Sequence, residues 1–250
     1  MLASAVNQEL LPTNPAERAG NLDDPDTIKA GEKRLKVKAM SREQLDQFLT
    51  TVALDRSWPI WLFLADTGCR PSEALAVQWE DVDLVSRSCH IHRALDLDGT
   101  MKGTKTGAGR HVDLSTRLVQ ALDTHQVTVE ASALAAGRDV NPLVFPSTSG
   151  KALDAKNAAR LFRKILRRSG LPKFSPYTLR HTFASHLLGL SKPITYVSAQ
   201  MGHSSPAITL SVYAHFLPSG DQVIANELEA WRAAPQITPH GAVDTDRVLA

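Results

Sequence analysis

The chain has 250 residues, enough to bury a sizeable core as one large domain or two small ones. Its 28 Lys and Arg nearly balance 26 Asp and Glu, so the net charge of +2 does not by itself announce a nucleic-acid partner; what matters is where the charge lies. No apolar run is long enough to span a bilayer, the first residues lack a secretory pattern, and the two cysteines form no Cys-x-x-Cys pair, so a cytoplasmic location with reduced thiols and no structural zinc is expected.

Residues 3 to 10 read as the end of a helix, broken by Leu11-Pro12-Thr13-Asn14-Pro15, and residues 16 to 37 as a polar linker carrying Lys29, Lys33, Arg34 and Lys36. Ser41 with Gln44 predicts a capping box for a helix over about 42 to 54. A second helix follows over about 58 to 66, ended at Thr67-Gly68, and Pro71 starts a third over about 71 to 78. A β region comes next. Ser88 to Leu95 alternates like a strand, and Met101 to Thr106 and Arg110 to Leu114 flank Gly107-Ala108-Gly109 as a hairpin. Helical patterns return over about 115 to 136, 154 to 169, 178 to 188, 193 to 201, 206 to 214 and 220 to 233, before a frayed tail. The expected fold is mainly α with one small antiparallel β-sheet inserted early.

The helix over 154 to 169 concentrates the charge. At about 100° per residue, Arg160, Arg163, Lys164, Arg167 and Arg168 share one arc, while Leu161, Phe162, Ile165 and Leu166 share the opposite one. An apolar face packed on the core would leave an uninterrupted cationic face, suited either to solvent or to a polyanion such as DNA.

Four short segments carry candidate chemistry: Thr67-Gly68-Cys69-Arg70-Pro71-Ser72-Glu73, Thr104-Lys105-Thr106-Gly107-Ala108-Gly109-Arg110, Tyr177-Thr178-Leu179-Arg180-His181, and Met201-Gly202-His203-Ser204-Ser205 with Tyr213 ten residues after His203. In this order they resemble the tyrosine recombinases, the family of phage integrases, Xer-type recombinases and Cre, over about residues 38 to 217. The resemblance implies the DNA breaking-and-rejoining catalytic fold. It implies Arg70 and Arg180 as catalytic arginines, Glu73 as the acidic companion of Arg70, Lys105 as the hairpin lysine, His203 as the histidine of the Gly-His-Ser-Ser box, and Tyr213 as nucleophile. One position departs from the pattern. Tyr177 stands where the family usually has histidine, and a tyrosine can exchange hydrogen bonds there but cannot take up a proton near neutral pH. Gly103 to Gly109 lacks the Gly-Lys-Ser/Thr ending of a phosphate-binding loop.

The residue types suit phosphodiester transfer. Charge spreads over the non-bridging oxygens, and two guanidinium forks bind such oxygens while staying charged. His203 can add a donor, Lys105 can protonate the leaving 5′-oxygen, and Tyr213 can form a covalent phosphotyrosine, with no metal or nucleotide cofactor. The expected organisation is a remnant of a DNA-clamping core-binding domain and linker at 1–37, the catalytic domain at 38–217, and a C-terminal helix and tail at 218–250 that docks on a neighbour. The implied partners are double-stranded DNA, three further copies of the chain in a tetramer, and accessory DNA-bending proteins, with no membrane. Two alternatives remain open at this point: a non-catalytic DNA-binding regulator and a type IB topoisomerase-like relaxing enzyme.

Overall fold

The computed structural model describes residues 37–96, 98–103 and 109–218, together with 226, 227, 229, 230 and 232. The elements in order are α1 (Arg42–Val52), α2 (Trp58–Thr67), α3 (Pro71–Ala74), a 3-10 turn (Trp79–Asp81), β1 (Val82–Asp83), β2 (Ser88–Ile91), β3 (Arg93–Leu95), β4 (Met101–Gly103), β5 (Arg110–Asp113), α4 (Thr116–Ala135), α5 (Ala155–Arg168), α6 (Tyr177–Gly189), α7 (Ile194–Met201), α8 (Pro206–Tyr213) and a 3-10 turn (Ala214–Phe216). The chain falls into two units, Met1–Leu217 and Pro218–Ala250. In the second, the described residues Asn226, Glu227, Glu229, Ala230 and Arg232 are helical. The expected helix end at 3–10, the linker at 16–36 and the tail beyond 232 lie outside the described residues. No helix among the described residues is long and apolar enough to cross a membrane.

The helical expectations hold where local signals are strong. Ser41 caps α1, and Gln44 reaches back to the Ser41 amide at 3.0 Å. α2 is apolar on every side, as befits a helix at the centre of the core; Ile60, Trp61, Leu62, Phe63 and Leu64 are all buried. It ends at Gly68, whose φ of 62° is the left-handed cap a glycine allows. A Cβ at Gly68 would lie 2.3 Å from the Phe183 ring, so α6 can approach only because that atom is missing. Phe48 of α1, Trp61 of α2 and Phe162 of α5 stack with centroids 4.9 and 5.2 Å apart, which ties three helices into one core.

α5 has the two faces its sequence demands: Ala158, Phe162, Ile165 and Leu166 are buried, and Arg160, Arg163, Lys164, Arg167 and Arg168 are exposed. Among these cations Arg168 is already engaged. It donates to Asp55 at 2.7 Å and to the Thr51 carbonyl at 3.3 Å, fastening α5 to the connection between α1 and α2.

The β region differs from expectation in three ways. There are two sheets, a three-stranded β1-β2-β5 and a two-stranded β3-β4, all antiparallel. The run Ser88 to Leu95 is broken at His92, whose ring bonds Asp81 at 2.9 Å. Among the described residues β4 pairs with β3 and β5 pairs with β2, while residues 104–108 of the expected glycine hairpin lie outside the described residues. The tighter hairpin turns at Asp98-Gly99, where Gly99 has φ 83° and the Asp96 amide donates to the Thr100 carbonyl at 2.8 Å. α3 also stops at Ala74 rather than near 78, because Val77 and Gln78 pair instead with Leu143 and Val144.

Candidate active site

Two arginines, one buried and one half-buried, tie the candidate segments together. Arg180, in the first turn of α6, is 1% exposed. Its Nη1 donates to the Gly68 carbonyl and to the Met201 carbonyl, each at 2.8 Å. One side chain thus fixes the segment two residues before Arg70 and the segment two residues before His203. Its Nη2 is buried and has no hydrogen-bond partner among the described residues. Burial pushes the guanidinium below its usual range, but an arginine stays charged in a protein. An unsatisfied buried donor costs about 1–3 kcal/mol, a cost that an anionic oxygen would remove.

Arg110, at the start of β5, is the second organiser, and sequence reasoning passed over it. Its fork grips Glu73, Nη2 to Oε2 at 2.7 Å and Nη1 to Oε1 at 3.2 Å, while Nε donates to the Gln200 carbonyl at 2.8 Å. It also fills the space beside Gly202, where a Cβ would meet it at 2.8 Å and where φ is 68°. Nothing in the local sequence marks an arginine next to His111 as a partner of residues 37 positions upstream and 90 downstream.

Glu73 is 2% exposed and holds Arg70 as well. It accepts from the Arg70 amide at 2.8 Å and from Arg70 Nη1 at 3.1 Å, so Arg70 sits at the start of α3 with its backbone capped by the carboxylate that also orients its guanidinium. Burial alone would raise the Glu73 carboxyl, but the Arg110 hydrogen bond and charge, aided by Arg70, outweigh it and hold the group ionised below its ordinary range. Beside Arg70 and Glu73 lies a cleft of about 360 Å³ that is also lined by Lys102 and Gly103 of β4. Lys105, two residues beyond Gly103, lies outside the described residues.

His203 follows the left-handed Gly202 that ends α7, and its Nδ1 shares a hydrogen bond of 2.7 Å with Thr209. Burial, then the charges of Arg180, Arg70 and Arg110, push its pKa down to about 3, so the ring is neutral. With Nδ1 engaged by Thr209, Nε2 is the nitrogen left for a further partner, and it donates there when Nδ1 accepts from the Thr209 hydroxyl. Tyr213, at the end of α8, is 2% exposed. Its ring packs among Ala184, Leu188, Val197 and Met201, and its hydroxyl is 2.7 Å from His181 Nδ1. Tyr177 is half-buried, with its ring edge-on to His181 at 4.9 Å and the Arg180 guanidinium 6.0 Å above it.

Arg70, Glu73, Tyr177, Arg180, His203 and Tyr213 therefore converge, joined by Arg110 and His181. The two cysteines are buried free thiols, and burial, followed by the neighbouring Glu73 charge, pushes Cys69 up to about 12, which leaves it inert.

The profile of the phage integrase family matches residues 38–219. A tyrosine recombinase XerD from Corynebacterium glutamicum is 31% identical over 212 residues, covering 84% of this chain and 61% of the relative. A XerC-like tyrosine recombinase from Caldanaerobacter subterraneus is 28% identical over 201 residues, covering 73% of this chain and 51% of the relative. The chain thus spans about half to three-fifths of the length of these relatives. Among solved structures, the Tn1549 transposon integrase bound to a circular intermediate DNA superposes with a TM-score of 0.68 at 20% identity, covering 91% of this chain and 74% of that one. The catalytic domain of bacteriophage HP1 integrase superposes with a TM-score of 0.53 at 21% identity, covering 80% of this chain and 99% of that one. These likenesses extend the agreement to the fold.

Proposed function

The chain belongs to the phage integrase family, and we propose that it is a site-specific DNA recombinase that cuts and rejoins strands through a 3′-phosphotyrosine on Tyr213. The observation that carries this is the convergence of Arg70 and Arg180, the latter with a buried Nη2 that has no hydrogen-bond partner among the described residues, beside a neutral histidine and a tyrosine hydroxyl held by His181.

Arg70 and Arg180 bind the non-bridging oxygens of the scissile phosphate, and His203 Nε2 donates to the same group. The Tyr213 hydroxyl oxygen attacks phosphorus, the 5′-oxygen leaves, and the phosphotyrosine stores the bond for religation. Lys105 protonates the leaving oxygen; Gly103, two residues earlier, lines the same cleft as Arg70, which supports that assignment. The exposed cations Arg160, Arg163, Lys164 and Arg167 hold the DNA backbone, with Arg168 contributing through its tie to Asp55. Tetramer assembly on DNA through residues 218–250, a DNA-clamping segment and linker at 1–37, accessory bending proteins and a cytoplasmic location complete the proposal. The Tn1549 integrase solved with a circular intermediate DNA supports DNA as the partner.

The test is strand exchange between two differently labelled duplexes carrying candidate attachment sites. Exchanged products that require Tyr213 support the proposal. Relaxation of a plasmid lacking any such site, without exchange, indicates a topoisomerase-like activity. Binding without cleavage indicates a regulator.

A further inference from the structure

We infer that His181 is a catalytic residue that orients the Tyr213 hydroxyl and accepts its proton during strand cleavage. This rests on Tyr213 being the nucleophile. Four observations lead to it.

The first is contact: His181 Nδ1 lies 2.7 Å from the Tyr213 oxygen, the atom that must lose a proton. That is the hydrogen-bond reach a general base needs. The second is substitution along a helix face. Tyr177 and His181 are four residues apart on α6, so they stand one turn apart on the same face and meet edge-on at 4.9 Å. A tyrosine fills one position, and the imidazole sits one turn further on. The third is elimination among the neighbours. His203 is tied to Thr209 and surrounded by three arginines, an environment that resists the addition of a proton. Tyr177 is no base near neutral pH. The fourth is rigidity. The Tyr213 ring is locked in an apolar cluster, which holds its hydroxyl against the His181 ring.

The groups that face His181 include Tyr177 on its own helix, Tyr213 from α8 and His203 from the turn before α8. His215 on the following 3-10 turn is exposed, and Asp66 on α2 is bonded to Ser115. The step requires the tautomer with its proton on Nε2, so that Nδ1 accepts from the Tyr213 hydroxyl. In the step, the Tyr213 O–H bond breaks and its proton moves to Nδ1. The Tyr213 oxygen–phosphorus bond forms, and the phosphorus–5′-oxygen bond breaks with its electron pair leaving on oxygen. That oxygen takes a proton from Lys105, the general acid of the proposed reaction. On religation the imidazolium returns its proton to the departing Tyr213 phenoxide.

The experiment uses the full chain and nicked duplexes that trap the wild-type adduct. His181→Asn keeps an acceptor close to Nδ1 but cannot take up the proton. The expected result is adduct formation slowed about 10²- to 10⁴-fold, with the acidic limb of the wild-type pH profile gone and DNA affinity kept. Fluorinated tyrosine at position 213, a more acidic phenol, should recover most of the lost rate. A His181→Asn protein with wild-type rate and profile, or a slow one that fluorotyrosine does not rescue, would overturn the inference. A second measurement needs no DNA. Nitrogen-15 histidine spectra should give His181 as the Nε2–H form, with an Nδ1 signal that moves in Tyr213→Phe; the Nδ1–H form would overturn the inference. Absence of any wild-type adduct would count against the recombinase proposal itself, and the spectra would still decide on the hydrogen bond.

Discussion

Arg110→Ala is the most informative single perturbation of the site's framework. The Arg110 side chain is 14% exposed and that of Glu73 only 3%, so this is a buried ion pair with two fork contacts at 2.7 and 3.2 Å. Removing one partner of such a pair typically costs about 3–5 kcal/mol, because the remaining charge stays buried. Here the lower part of that range is expected, because Arg70 still reaches Glu73 at 3.1 Å. The loss should depend on pH in a definite direction. Glu73 is held below its ordinary value in the folded protein, so its contribution is full above the unfolded carboxyl pKa of about 4.3 and fades as pH falls through the folded value. Urea denaturation should therefore give the widest gap between wild type and Arg110→Ala at pH 7, narrowing below about pH 4. Arg110→Lys should recover only part of the loss, since an ammonium cannot make the fork. Glu73→Gln placed in the Arg110→Ala background should relieve much of the penalty. A deficit under about 1 kcal/mol at pH 7, or a gap that ignores pH, would refute the view that this pair holds the site together.

Other outcomes can be checked with the same purified variants. Arg180→Ala should slow covalent attachment about 10²-fold or more, and single-turnover rates would expose a near-normal enzyme. Tyr177→His should keep or raise the rate of attachment, and a dead variant would give this tyrosine a specific role. His203 should remain neutral between pH 5 and 8 when DNA is absent, because its folded pKa is about 3, and titration near 6.5 in an NMR series would contradict that. Its depressed value also makes stability fall as pH drops below about 6.5, with the penalty complete below the folded value. That penalty is a few kcal/mol at most once solvent screening of a half-buried ring is allowed for.

Where the sequence could be read correctly, a local rule was enough. The Ser41 and Gln44 capping box, the left-handed Gly68 and the two faces of α5 each depend on neighbours within a turn or two. The misreadings came from competition over longer distances. The pattern predicts one sheet, but Asp98-Gly99 closes a hairpin of β3 and β4 by themselves, and β5 finds its partner in β2, about twenty positions upstream. α3 is cut short by strand-like pairing of Val77 and Gln78 with residues more than sixty positions away. The motif residues could be named from their order in the chain. Arg110 and His181 could not, because what identifies them is a contact in space: a fork on Glu73, and an imidazole against the Tyr213 hydroxyl. Arg168 shows the converse. It lies on the cationic arc as expected, yet its guanidinium is bound to Asp55.

The most direct measurement is covalent trapping. The full chain is incubated with nicked duplexes bearing the candidate attachment sites that flank its gene, then run on denaturing gels beside Tyr213→Phe. The expected result is a protein–DNA band for the wild type that is absent from the variant while DNA binding on native gels is unchanged. A band that persists in Tyr213→Phe, or a wild type that binds these duplexes without ever forming one, would contradict the assignment of Tyr213 as the nucleophile of a strand-transferring enzyme.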